Sequence, residues 1–184
     1  MAKATETNSN DRKTSVPIPF RFKKPDGTDG TTKFTISIDI FNYLVSAFED
    51  NKKEAKKWLV SKAKVYKQKG VDNISSYLRE ESLCMIIREG LLDGYEIDPT
   101  YKVVSSSYYD DEGSIAYIPI NMPKAMIYAL EKMGEDFQSV IDTKHRYYRN
   151  MKLENPEWIQ NNLSETVRQD ILADMVDEDL ISVD

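Results

Sequence analysis

The chain has 184 residues, 40% of them hydrophobic and 30% charged, enough apolar material for one large domain or two small ones. One cysteine (Cys84) and one histidine (His145) make neither a metal cluster nor a nucleophilic triad, and Cys84 within "LCMII" reads as a thiol buried by a helix. The net charge of −6 is unevenly spread: residues 1–90 carry 17 Lys/Arg against 12 Asp/Glu, and residues 91–184 carry 8 against 19, so the first half suits a polyanion and the second a basic partner.

Residues 1–15 are polar and without period and read as a flexible basic arm bearing Lys3, Arg12 and Lys13. With neither a signal-peptide run nor a membrane-length apolar stretch, the expectation is a cytoplasmic protein. In "VPIPFRFKK" Val16, Ile18, Phe20 and Phe22 alternate with Pro17, Pro19, Arg21 and Lys23, which predicts a strand, and the prolines put it at an edge. "PDGTDG" is turn chemistry. "TKFTISIDI" then resumes the period of two, with Phe34, Ile36, Ile38 and Ile40 on one face, so a hairpin is expected.

The period next becomes helical. "FNYLVSAFED" predicts a short helix with Leu44, Val45 and Phe48 inward, and "KKEAKKWLVSKAKVYKQKG" a longer one closed by Gly70. On the longer helix Ala55, Trp58, Leu59, Val65 and Tyr66 share one side, while Lys53, Lys56, Lys57, Lys64 and Lys67 lie opposite. Such a ridge is ordinarily a solvated face; its functional meaning would be contact with phosphates. "NISSYLREESLCMIIREG" predicts a third helix, opened by Asn73 and Ser75 and ended by Gly90.

After a linker at 91–98 the plan recurs: the strands "YKVVSSSYY" and "SIAYIPINM" around "DDEG", then the helices "PKAMIYALEKM", "EDFQSVIDTKHRYYRN" and "NLSETVRQDILADMV", then an acidic tail at 178–184. Tyr108, Tyr109, Tyr147 and Tyr148 read as half-buried packing. The repeat is visible in the letters. "NISSYLRE" (73–80) returns as "NLSETVRQ" (162–169), 89 positions on, and "TISIDIFNYLVSAFED" lies over "YIPINMPKAMIYALEK" at an offset of 82, with Ile36 on Ile118, Ile38 on Ile120 and Leu44 on Met126. Seven further residues around "LENPEWI" reconcile the two offsets. The expected fold class is therefore α+β: two tandem units, 16–90 and 99–177, each a hairpin plus three helices. Each is small for an independent core, so they should pack as an intramolecular pseudo-dimer about an approximate twofold axis.

A strand, a helix and a later helix opening with "NLSETVRQ" resembles the ribbon-helix-helix family of the Arc, MetJ and CopG type, and two such units in one chain are similar to the TraY-type relaxosome proteins of conjugative plasmids. The resemblance implies a double-stranded DNA-binding protein of plasmid or phage type, a repressor or relaxosome accessory, with no cofactor or metal. It implies that "KFTISID" pairs with "IAYIPIN" as an antiparallel ribbon in the major groove. Lys33, Thr35, Ser37, Tyr117 and Asn121 would then read bases, while Phe34, Ile36, Ile38, Ile118 and Ile120 would face the helices. Asp39 and Pro119 depart from that pattern. Asn73, Ser75, Asn162 and Ser164 would clamp phosphates at helix starts, joined by Lys53, Lys56, Lys57, Lys64 and Lys67. The alternative is a protein-binding module or inhibitor that docks a basic partner through the acidic half, which "YYDDEG" and "DMVDEDL" favour. No enzyme is expected, since no phosphate loop, metal cluster or nucleophile–base pair stands out.

Overall fold

Alternating apolar residues make the two hairpins. In the computed structural model, which describes residues 14–110, 112–156 and 163–176, β1 (Ser15–Lys23) pairs antiparallel with β2 (Asp29–Ser37), and β3 (Tyr101–Tyr109) with β4 (Ile115–Pro123). Ile18, Phe20, Phe34 and Ile36 of the first hairpin are buried, as are Val104, Ser106, Ile120 and Met122 of the second. These are the even-numbered positions, and the odd-numbered side chains take the opposite face. Each hairpin is followed by three helices. These are α1 (Ile38–Ala47), α2 (Lys52–Gln68) and α3 (Ile74–Ile86), then α4 (Lys124–Lys132), α5 (Phe137–Glu154) and α6 (Leu163–Met175). Asn51 caps α2 by accepting the Glu54 N–H at 3.2 Å, and Asn73 caps α3 by accepting the Ser76 N–H at 3.3 Å.

The units meet where their last helices end. Ile87 and Val176, which follow α3 and α6, form an antiparallel bridge, and the Arg88 N–H donates to the Met175 carbonyl at 2.9 Å. The bridged residues occupy the same place in the two units, 89 positions apart, as a local twofold requires. A single cluster of buried residues spans both units, with Leu78, Leu83 and Ile86 of α3 and Val167, Leu172 and Met175 of α6 among its members.

The repeat has a different register from the one its letters suggest. Helix starts Ile38 and Lys124 are 86 positions apart, as are strand starts Ser15 and Tyr101. At this offset buried residues fall on buried residues: Ile40 on Met126, Leu44 on Leu130, Ala55 on Ile141, Leu59 on His145. The offset of 82 is therefore wrong by four. Four residues is close to one helical turn and is also two strand periods, so the slip leaves apolar on apolar in both kinds of element.

The expected ribbon of β2 with β4 does not form: the two strands belong to separate two-stranded sheets. One edge of β2 is taken by β1. On its other edge the Thr35 N–H donates to the Ser75 hydroxyl of α3 at 3.1 Å. Odd-numbered residues of the second hairpin likewise turn their backbone groups away from the partner strand: Ser107 N–H reaches Asp142 at 3.2 Å and the Asn121 carbonyl accepts from Arg168 at 3.2 Å. Pro17, Pro19 and Pro119 all lie in this odd register, where the missing N–H costs no ladder bond.

Three smaller expectations are corrected. Ile38 and Ile40 belong to α1, not to the strand face, because the chain turns helical directly after Ser37. Val65 is 45% exposed and Ala63 is buried in its stead, since the stripe on α2 runs Ala55, Leu59, Ala63 at intervals of four. Cys84 is exposed, because α3 turns Leu83 and Ile86 inward and the intervening residues outward. Among the described residues no helix is long and apolar enough to cross a membrane.

Candidate nucleic-acid interface

The alternation that buries Phe20 and Phe34 puts Arg21, Lys23, Thr31, Lys33 and Thr35 on the opposite face of the first hairpin. Across the ladder Arg21 stands against Thr31, Pro19 against Lys33 and Pro17 against Thr35. Lys23 pairs with Asp29 at 2.8 Å, but both side chains are exposed, so water screens the pair and leaves it weak. Phe22 stands opposite Gly30, whose lack of a side chain makes room for the ring: a Cβ there would lie 2.7 Å from it.

Helix α2 packs beside β1 and brings Lys64 and Gln68 to the end of the hairpin. The Lys67 ammonium sits 5.3 Å from the centre of the Phe22 ring. Between hairpin and helix runs an open groove of about 350 Å³ lined by Arg21, Phe22, Lys23, Asp29, Lys64 and Gln68. Its walls carry three cations and one carboxylate. Lys53, Lys56 and Lys57 continue the exposed ridge along α2, with Lys57 making a surface pair to Glu54 at 3.4 Å. Lys62 is different in kind: it bonds Glu81 of α3 at 3.2 Å and covers the Trp58 ring at 5.5 Å, so it holds the fold together.

The other residues expected at the interface are placed elsewhere. Tyr117 and Asn121 lie on β4, in the other sheet from Lys33 and Thr35. Asn73 and Ser75 are occupied inside their own unit, one capping α3 and the other holding β2. Ser164 is half-buried in the first turn of α6, and Asn162 lies outside the described residues. Ser37 precedes α1 and lines a cavity of about 100 Å³ between the units, along with Asp39, Arg79, Tyr101, Glu165 and Arg168. Asp39, expected in the groove, instead accepts from Gln169 of the other unit at 2.7 Å. Arg79 bonds Glu80 and the Pro99 carbonyl, each at 3.0 Å, and stacks 3.8 Å over Tyr101. Burial pushes the Glu165 carboxyl up, Arg168 pulls it down and Asp39 adds to the rise. The charges of this cavity are thus engaged with one another across the seam.

The two residues with catalytic chemistry in their side chains are quiet. His145 is fully buried and its Nδ1 lies 2.8 Å from Ser106 Oγ, also fully buried. They take the places of Leu59 and Phe20 in the first unit, so a hydrogen-bonded polar pair replaces an apolar one. Partial burial of the Cys84 sulfur, with the Glu80 and Glu81 carboxylates nearby, pushes its thiol up to about 11, which keeps the thiolate scarce near neutral pH. Among the described residues no cluster of three or more potential metal ligands occurs.

The sequence sets Arg21, Phe22 and Lys23 in the first strand and gives Phe22, Gly30 and Gln68 no part in an interface. The alternation of "FRFK" already turned the two cations to one face. That this hairpin and α2 form one groove depends on tertiary contact. Comparison with protein-family models, with characterised proteins and with solved structures finds no match to the chain.

Proposed function

We propose that the protein binds double-stranded DNA through its first unit. In this reading the exposed face of the first hairpin enters the major groove, which admits a two-stranded ribbon, while Lys56, Lys64 and Lys67 of α2 contact the flanking phosphates. The observation that carries the reading is the groove in which Arg21 and Lys23 of the hairpin meet Lys64 of the helix around Phe22. A polyanion in that groove would neutralise cations that otherwise crowd one another, and Thr31, Lys33 and Thr35 offer donors suited to base edges. The net acidity of the chain does not oppose this, because the local field governs contact and the acidic residues are concentrated in the second half.

The likeness to ribbon-helix-helix proteins is then one of plan, a strand followed by helices in tandem. The groove-reading element comes from within one unit and is not shared between two. A role as repressor or relaxosome accessory fits a protein that acts by occupying DNA.

The test is fluorescence anisotropy with a labelled random duplex at two salt concentrations. Affinity is expected to fall as salt rises, by about one logarithmic unit per logarithmic unit of salt for each phosphate neutralised. Affinity that is indifferent to salt, or unchanged on charge reversal at Lys64, would end the proposal.

A further inference from the structure

The second hairpin presents a face that the first does not. At the outward positions where the first hairpin has Pro17, Lys23, Asp29 and Thr31, the positions 86 residues later hold Val103, Tyr109, Ile115 and Tyr117. Those four are 61, 69, 57 and 66% exposed. The ladder pairs Tyr109 with Ile115, Ser107 with Tyr117, Ser105 with Pro119 and Val103 with Asn121, so Tyr109, Ile115 and Tyr117 are neighbours at the turn end of the face and Val103 lies further along it. The inner faces of both hairpins are buried in the core. The first hairpin therefore acts as an internal control: the fold tolerates a polar outer face, and the apolar one is not needed to build the unit. A contiguous apolar patch of this kind marks an interaction surface.

We propose that the outer face of the second hairpin docks a basic polypeptide segment, one that presents apolar side chains flanked by Lys or Arg. Charge selects the occupant. The turn that closes the face carries Asp110 and Glu112, beside the Tyr109–Ile115 pair, and residues 91–184 hold 19 acidic against 8 basic residues. Nucleic acid is repelled by this field. A second copy of the same face would set acidic turn and acidic half against their like.

Backbone geometry then fixes how the segment lies. The outer edge of β3 is covered by α5, where Asp142 accepts the Ser107 N–H and Gln138 donates to the Ser105 carbonyl at 2.9 Å. The outer edge of β4 lacks a donor at Pro119, and its Asn121 carbonyl is taken by Arg168. With β3 covered by α5 and the outer edge of β4 interrupted at Pro119 and Asn121, the segment packs across the sheet face as an amphipathic helix does.

The surface stands independently of DNA binding by the first unit, and the experiment keeps the two apart. A labelled amphipathic Leu/Lys peptide is titrated into the full-length protein, into the Ile115→Ser, Tyr117→Ser double variant and into Glu112→Lys. The affected side chains are exposed, so the fold is retained. Binding to the wild type, weakened about tenfold in the double variant and reduced in Glu112→Lys, with duplex DNA affinity unchanged in both, supports the proposal. Equal binding by the double variant, or equal binding of a peptide with every Leu replaced by Ser, overturns it. So does a wild-type dimer in sedimentation equilibrium that the double variant converts to monomer, since the occupant would then be a second copy.

Discussion

The carboxylate of Glu80, fully buried on α3, accepts the backbone N–H of Ala125 at the start of α4 at 3.2 Å, so a side chain of one unit caps a helix of the other. The same carboxylate takes Arg79 Nε at 3.0 Å and the Tyr95 hydroxyl at 2.9 Å. Burial pushes it up, and Arg79, Tyr95 and Ala125 pull it back down. Three groups therefore depend on one carboxylate at the seam between the units.

Glu80→Ala is expected to destabilise the protein by about 3 kcal/mol, because it leaves the buried Arg79 without its counter-charge and the Arg79 Nε and a helix-terminal N–H without an acceptor. Urea unfolding checks this: the midpoint should fall with little change in slope. Glu80→Gln should cost less, since Gln169 holds the equivalent place in the second unit. A loss below about 1 kcal/mol for the alanine variant would show that the seam does not rely on this group.

Gly30→Ala tests the base of the proposed groove. The new methyl would overlap the Phe22 ring, which must swing away and give up its contact with Lys67. A loss of about 1–2 kcal/mol in thermal unfolding is expected, together with weaker DNA binding. Unchanged stability would mean that the ring has room the hairpin does not show.

Below neutral pH the second unit should weaken before the first. Burial, with Arg149 nearby, holds His145 below its ordinary value of 6.5, and Asp142 opposes the shift only in part. In the unfolded chain this histidine takes its proton near 6.5, so below that pH the unfolded state binds more protons than the folded one. Its contribution is fully present above 6.5 and is lost as pH falls through the folded value. Replacing His145 by Leu and Ser106 by Ala, which removes both polar groups, should flatten the dependence of urea-unfolding free energy on pH between about 7.5 and 5.5. An unaltered slope would assign the acid sensitivity to other groups.

Lys33→Glu and Lys64→Glu should each weaken duplex binding about tenfold and make it less sensitive to salt, with little effect on stability. Lys62→Glu should do the reverse, lowering stability by breaking its bond to Glu81 while barely touching DNA affinity. Anisotropy titration beside thermal unfolding separates the two. If all three lysines behaved alike, the distinction between groove and scaffold would be false.

Much of the local structure is written in short runs of residues. The alternation of Val16, Ile18, Phe20 and Phe22 named a strand and its buried face, and the prolines beside them named an edge. Asn73 marks the start of a helix that it does cap, whereas the cap Asn51 supplies to α2 is seen only in the structure. The cysteine was misjudged for a physical reason: "LCMII" is apolar throughout, so it carries no phase, and only the packing of Leu83 and Ile86 shows which side of α3 is inward. The candidate site divides the same way. Thr35 and Lys33 were legible as outward residues, whereas the partnership of β1 with α2 and the consumption of Asn73 and Ser75 inside the fold were not.

The amino-acid sequence alone determined a tandem α+β chain, its hairpins, its helices and most of its inward faces, because each follows from the side-chain period of neighbouring residues. Tertiary structure decided which strand edges stay open, the true offset of 86 and the meeting of the units at Ile87 and Val176. A four-residue slip preserves both periods, and a free backbone edge looks the same in the letters whether a strand, a hydroxyl or water will satisfy it.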